Sequence, residues 1–202
     1  MLHTLVALVD DKPGVLTRVA SLFRRLNINI ISLTVGHSER PHVSRITIVA
    51  EAAPGTGHRI KASLFKLENV IDVDDVGQLS CVTRELALIK VAATAQTRTA
   101  IFQLAEIYRA RVVDLAPESL MLEITGQASK IEGLIQVLSE GDNQILEIAR
   151  SGRMVMRRGQ HTSRVLEAMQ FSSPEEEPVV PITANAGDSL GSMPVGDPLM
   201  EQ

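Results

Sequence analysis

Twice in succession the chain spells strand, helix, strand, strand, helix, strand, and that order leaves few folds open to it. Residues 3–9 (HTLVALV) are an apolar, strand-like run that stops at Asp10-Asp11-Lys12-Pro13-Gly14. Val15, Leu16, Val19, Leu22, Phe23 and Leu26 then recur at the spacing of one buried helix face. Pro13 is expected in the first helical turn, where its missing N–H has no partner to lose, with Asp11 as the cap. Asn27 is expected in the left-handed exit position. Residues 28–35 and 43–50 read as two strands. The Pro54-Gly55-Thr56-Gly57 turn leads to a helix with Ile60, Leu64 and Leu67 inward, and residues 70–76 close the unit.

The second unit has the same order. Residues 85–93 form a strand, and Ile101, Leu104, Ala105 and Tyr108 make one helical stripe. Residues 111–115 and 119–125 flank a turn containing Pro117. Ile131, Leu134, Ile135 and Leu138 return to helical spacing, and residues 145–149 are the last strand. The expected fold is α+β: two successive ferredoxin-like βαββαβ units, over residues 1–78 and 79–160. A short closing helix is expected at 161–171.

Each unit places both helices on one face of a four-stranded sheet. The first strand is apolar on both parities (Leu5, Val6, Ala7, Leu8, Val9), so something is expected to cover the helix-free side. Self-association is the simplest cover, because a two-fold contact uses one patch twice.

Charge separates a tail from this body. Residues 172–202 hold six of the 24 acids, five of the nine prolines and no Lys or Arg. All 20 Lys and Arg therefore face 18 acids in residues 1–171, a net charge of +2. A segment so poor in apolar area does not offset its ordering entropy, and 172–202 is expected to be a disordered tail. The single Cys81 excludes an internal disulfide and a multi-cysteine zinc site. Apolar runs of five or six residues fall far short of a membrane span, and the first residues lack a cationic leader pattern. A soluble, cytoplasmic protein is expected.

Catalytic signatures are missing: no Gly-x-Ser-x-Gly elbow, no GxxxxGK[ST] phosphate loop, no His-Glu-x-x-His. His3, His37, His42, His58 and His161 are scattered, with no i, i+4 ligand pair, so no metal site is expected. Gly55-Thr56-Gly57 is half a dinucleotide fingerprint and is read as a turn. Glu68, Asp72, Asp74 and Asp75 are read as solvated acids. Arg150, Arg153, Arg157 and Arg158 are read as a solvated strand end or a docking surface for an acidic partner, since a net charge of +2 and no DNA-binding helix pair argue against nucleic acid. An RNA-binding ferredoxin-like fold needs aromatics on its central strands, and the strands drawn here carry none.

The loop from Asp10 to Leu16 is the most informative stretch. It joins a strand to a helix, so amide N–H groups point out of the helix start with the positive end of the dipole behind them, where a carboxylate can dock. Asp11 suits an ammonium group, and Asn29 offers both a donor and an acceptor. Val15, Leu16, Ile30 and Val35 can enclose a small aliphatic side chain. These parts describe a receptor for a zwitterionic amino acid; they equally describe a capped helix in a tight turn.

Five ordered blocks carry a resemblance. They are residues 4–19 (TLVALVDDKPGVLTRV), 29–36 (NIISLTVG), 44–49 (SRITIV), 84–91 (RELALIKV) and 147–152 (EIARSG). The first looks like the opening of an ACT domain, and the set resembles the small, regulatory subunit of acetolactate synthase (acetohydroxyacid synthase) over about residues 2–160. The resemblance implies a chain with no active site and no cofactor of its own. It implies a large catalytic partner that carries thiamine diphosphate, Mg²⁺ and FAD and makes acetolactate from pyruvate for branched-chain amino acid (valine and isoleucine) biosynthesis. The small subunit of that family raises the activity and confers allosteric feedback inhibition, typically by valine. Family valine sites lie between the ACT domains of a homodimer, where the first strand–helix loop of one copy meets the second strand of another. Carried over, this points to Asp11, Gly14, Val15, Leu16, Asn29, Ile30 and Val35. Many relatives have Asn where this chain has Asp11, and Gly-Tyr or Gly-Phe where it has Asn27-Ile28.

The rival reading is a free-standing tandem-ACT amino-acid sensor. The blocks at 84–91 and 147–152 favour the subunit, because a generic sensor has no reason to resemble that family's C-terminal half.

Overall fold

The computed structural model describes residues 1–141 and 144–159; the closing helix expected at 161–171 and the tail at 172–202 lie outside them. The first unit runs β1 (Leu2–Asp10), α1 (Val15–Arg25), β2 (Asn29–His37), β3 (Val43–Glu51), α2 (Thr56–Phe65) and β4 (Val70–Asp75). Its antiparallel sheet has the order β2-β3-β1-β4. The second runs β5 (Cys81–Ala92), α3 (Arg98–Ile107), β6 (Arg111–Leu115), β7 (Ser119–Gly126), α4 (Ala128–Glu140) and β8 (Ile145–Arg150), with the order β6-β7-β5-β8. Both are the ferredoxin-like, ACT-type arrangement.

The apolar stripes close the cores as their spacing demands. Leu5, Ala7 and Val9 of β1 and Ile46, Ile48 and Ala50 of β3 share a face with Val19, Leu22 and Phe23 of α1 and Ile60 and Leu64 of α2. Ala87, Ile89 and Val91 of β5 and Leu120, Leu122 and Ile124 of β7 meet Ile101 of α3 and Ile131, Leu134 and Leu138 of α4.

The repeat extends to the irregularities. Edge strand β2 bulges between Ile30 and Ser32, and edge strand β6 bulges between Val112 and Asp114. After α1, Asn27 takes φ 54°; after α3, Arg109 takes φ 51°. In both exits the next amide reaches back to close the helix, Ile28 N–H to the Phe23 carbonyl at 3.0 Å and Ala110 N–H to that of Ala105 at 2.7 Å. This is the Schellman pattern, and Asn27 is where the sequence placed it.

Two expectations are corrected. Helix α1 begins at Val15, after Pro13 rather than around it, and Asp11 does not cap it. Gly14 holds the cap position at φ 85°, ψ −9°. With Val15 N–H bonded to the Lys12 carbonyl at 3.4 Å, Lys12-Pro13-Gly14-Val15 is a type II turn, which requires positive φ at its third residue. Beyond the strands expected from the sequence, Met154–Arg157 forms a further strand, β9. It pairs antiparallel with the start of β5, from Cys81↔Arg157 to Arg84↔Met154.

That strand changes the account of the helix-free face. Val155 of β9 packs with Val6 of β1, Val76 and Cys81 in a small cluster of its own. Arg45 on β3 donates to the Val155 carbonyl at 2.7 Å. The chain thus covers part of its first sheet with its own C-terminal strand, so the burial of Val6 needs no second copy.

Candidate functional site

The loop after β1 is built by hydrogen bonds from three directions. Asp11 N–H donates to the His42 carbonyl at 2.8 Å, which fastens the loop to the start of β3. The Asp10 carboxylate accepts from Lys12 Nζ at 2.9 Å and Asn69 Nδ2 at 3.2 Å. Both bonds favour the charged form, led by the one from Lys12, and hold the Asp10 carboxyl below its usual value. Arg18 of α1 donates to Asn69 Oδ1 at 2.7 Å and Glu68 Oε2 at 2.9 Å. The α2–β4 turn therefore braces the loop. Asn69 escaped the sequence reading, because nothing in its surroundings in sequence marks it.

Gly14 opens the helix with no acidic residue in the first turn, so no side chain neutralises the positive end of α1 from within. Val15 N–H is bonded to Lys12, and Arg18 N–H to the Gly14 carbonyl at 3.1 Å. The amides of Leu16 and Thr17 are the first-turn donors left for a carboxylate. The Asp11 carboxylate stands 3.5 Å from His37 Nδ1 at the end of β2, a neighbour that sequence reading missed because 26 residues separate them.

The structure divides the seven predicted residues into two groups. Asp11, Gly14 and Leu16 sit at one end of the sheet, near the His37 end of β2, and Val35 lies two residues before it. Leu16 and Val35 are exposed. Val15 is 5% exposed and belongs to the core, so it walls the site from behind. Asn29 pairs with Glu51, and Glu51 with Leu2, at the opposite end. At about 3.3 Å per residue, Asn29 lies roughly 20 Å along β2 from Val35. One chain alone therefore does not gather Asn29 and Ile30 around the loop.

Strand β2 is a sheet edge, and Ile31, Leu33 and Val35 along it are exposed. An exposed apolar edge is a pairing template.

On its other face β2 meets the second unit. A cleft of about 530 Å³ opens there, walled by Leu2, Ile31 and Val49 on one side and by Ala128, Arg150 and Arg153 on the other. Arg150, though partly exposed, is paired within the chain: it binds Glu85 and also Glu132 of α4. Arg157 lies 3.8 Å and Lys61 3.5 Å from Asp74, whose side chain is 13% exposed. The predicted basic cluster and the predicted row of solvated acids are thus both partly spent on internal pairs, because β9 and β4 are brought to the same face. Gly57 is a close-packing position: a Cβ there would meet Asp75 Oδ2 at 2.2 Å. Among the described residues no group of three or more His, Cys, Asp or Glu side chains gathers to hold a metal, and no helix is long and apolar enough to cross a membrane.

Comparison with known proteins adds to this geometry. Residues 5–72 match the family model described as the AHAS small subunit-like ACT domain, and residues 84–159 that of the small subunit of acetolactate synthase. An acetolactate synthase small subunit of Mycolicibacterium smegmatis is 47% identical over 157 residues, covering 78% of this chain and 91% of that protein. A probable acetolactate synthase small subunit of Archaeoglobus fulgidus is 43% identical over 159 residues, covering 79% and 98%. The crystal structure of the small subunit from Thermotoga maritima superposes with a TM-score of 0.73 at 40% identity, covering 80% of this chain and 99% of that one.

Proposed function

The chain belongs to the acetolactate synthase small-subunit family, and from that premise we propose that it activates the thiamine-dependent large subunit and makes it sensitive to valine. Its role is that of a non-catalytic, regulatory subunit. The observation that carries this reading is the match of both units in the family's order, 5–72 and then 84–159. Residues 1–78 act as the ACT unit and 79–160 as the C-terminal regulatory unit, in the cytoplasm. Thiamine diphosphate, Mg²⁺ and FAD belong to the catalytic partner, where pyruvate is converted to acetolactate.

The effector site forms between two copies. A two-fold axis perpendicular to the sheet, placed beside β2, sets the two edge strands antiparallel. The Asn29 end of one copy then lies beside the Val35–His37 end of the other. This removes the separation of roughly 20 Å found within one chain. The exposed Leu33 and Val35 supply the apolar edge that such a dimer buries. In this arrangement the Leu16 and Thr17 amides receive valine's carboxylate, and Asp11 and Asn29 hold its ammonium. Leu16, Ile30 and Val35 enclose the isopropyl group, with Val15 behind and Gly14 leaving room for the approach.

The test is acetolactate formation by the cognate large subunit alone, with this chain, and with this chain plus valine. Stimulation reversed by valine is the expected result. No stimulation, despite valine binding to the isolated chain, would replace this reading with a free-standing amino-acid sensor.

A further inference from the structure

We propose that the turn Ser151-Gly152-Arg153 transmits the state of strand β2 to the second unit, so that an effector held at the β2 edge is felt throughout β5–β9. The proposal rests on the effector reading above and names how that site is coupled.

The side chains of strand β2 divide between two faces of the sheet. Leu33 and Val35 register with Ile48 and Ile46 on the side of the helices. Ser32 and Thr34 register with Val49 and Thr47 on the other side. On that side Ser32 Oγ accepts from the Arg153 N–H at 3.0 Å, and Thr34 Oγ1 donates to the Ser151 carbonyl at 3.4 Å. The residue that meets Thr34 is also fastened to the central strand of the second sheet. Ser151 N–H donates to the Leu86 carbonyl at 2.9 Å, and Ser151 Oγ accepts from the Leu86 N–H at 3.0 Å. A single residue therefore stands between the edge strand of one sheet and the central strand of the other.

Gly152 makes the contact possible. It holds φ 80°, and a Cβ at that position would stand 2.6 Å from Thr34 Oγ1 and 2.9 Å from Ser32 Oγ. Only a residue without a side chain lets the turn lie flush on β2 in that backbone conformation. A third bond, Arg45 to the Val155 carbonyl, ties the neighbouring strand β3 to β9. A shift of β2 by about 1 Å stretches bonds that already span 3.0–3.4 Å past useful geometry, so the second unit moves with the strand or loses the contacts. Two positions of β2 that bind valine unequally are then two states of the whole chain.

The test uses the full chain with its large subunit, in Gly152→Ala and in the double variant Ser32→Ala/Thr34→Val, which leaves the turn backbone unchanged. Valine binding is measured by calorimetry with and without the large subunit, beside valine inhibition of acetolactate formation. Coupling is reciprocal and worth about 5–150-fold in affinity. In the wild type, the large subunit should change valine affinity within that range. In both variants the change should fall to less than about threefold, and valine inhibition should weaken in step. The affinity of the isolated variant chains should stay within about threefold of wild type, since no effector contact is altered. An inhibition curve in the double variant that overlays the wild type would overturn the coupling, whatever Gly152→Ala does to folding. Wild-type chain that binds no valine would overturn the effector reading instead. Thermal unfolding then decides the linkage: one transition in wild type and two in the double variant support it, and two in wild type overturn it.

Discussion

Arg150 grips Glu85 as a two-pronged fork, Nε at 2.5 Å from Oε1 and Nη2 at 3.1 Å from Oε2. The Glu85 side chain is 7% exposed, so this fork is the carboxylate's main polar contact in a site that water barely reaches. The pairing, led by the Glu85 hydrogen bond, in turn holds the guanidinium above its ordinary value. Such forks are strong and directional. Here the fork joins strand β8 of the second sheet to its central strand β5, one residue before the Ser151 turn.

Arg150→Met should therefore destabilise the chain by about 3 kcal/mol, the low end for an orphaned buried charge because Arg150 keeps some exposure. Arg150→Met with Glu85→Leu should regain most of that loss, since two apolar groups leave no charge stranded. Urea denaturation of both variants measures the difference. Equal losses in the single and the double variant would show that packing, not the unpaired carboxylate, sets the cost.

At Gly14 two roles can be separated. Its φ of 85° strains any ordinary L residue, although a Cβ there would meet nothing within 4 Å. Asn tolerates that conformation better than most residues. Gly14→Asn should thus keep the helix start and test bulk alone, while Gly14→Asp adds a negative charge beside the amides of Leu16 and Thr17. Valine inhibition should weaken modestly in the first and be lost in the second, with stimulation of the large subunit largely kept. Unchanged valine inhibition in Gly14→Asp would remove the carboxylate from the start of α1.

The β2 edge predicts self-association. Leu33→Lys places a charge on an exposed apolar edge, the device by which proteins block edge pairing. Sedimentation should show a dimer for the wild type at micromolar concentration and a monomer for this variant. A monomeric wild type would count against a site shared between copies.

Asp10 gives a pH signature of known sign. Its carboxyl is held below the ordinary value by Lys12 first and Asn69 second. A depressed folded-state pKa contributes stability that is fully present above the unfolded value of 3.8. That contribution is lost as the pH falls through the lower folded value. The difference in Tm between the wild type and Asp10→Asn, small for a group that water partly reaches, should be present at pH 7 and shrink below about pH 4. A difference that grows in acid would reverse the assignment.

Much of this protein was legible as periodicity. The stripes Val15, Val19, Leu22, Phe23 and Ile131, Leu134, Leu138 each mark a helix face that the structure buries, because burial selects residues at 3.6-residue spacing whatever lies opposite. Asn27 could be read as a helix exit for an equally local reason. Strand β9 could not. Its four residues, MVMR, are too few to show a period, and its partner strand begins at Cys81, more than seventy residues earlier.

The candidate site divides the same way. Local chemistry marked the loop from Asp11 to Leu16 as an open helix start, and the type II turn at Gly14 keeps it open. The brace from Asn69, the neighbour His37 and the distance from Asn29 to Asp11 depend on strand order and direction, which no short window of residues encodes. By itself the sequence determined the two βαββαβ units, their cores and the family, since these follow from local spacing and ordered motifs. Only the tertiary structure decided that a C-terminal strand covers part of the first sheet and that Gly152 lies flush on β2. It also decided that one chain holds the halves of its predicted site at opposite ends of a strand. Contacts between residues far apart in sequence depend on how the elements pair, and pairing is a property of the folded chain.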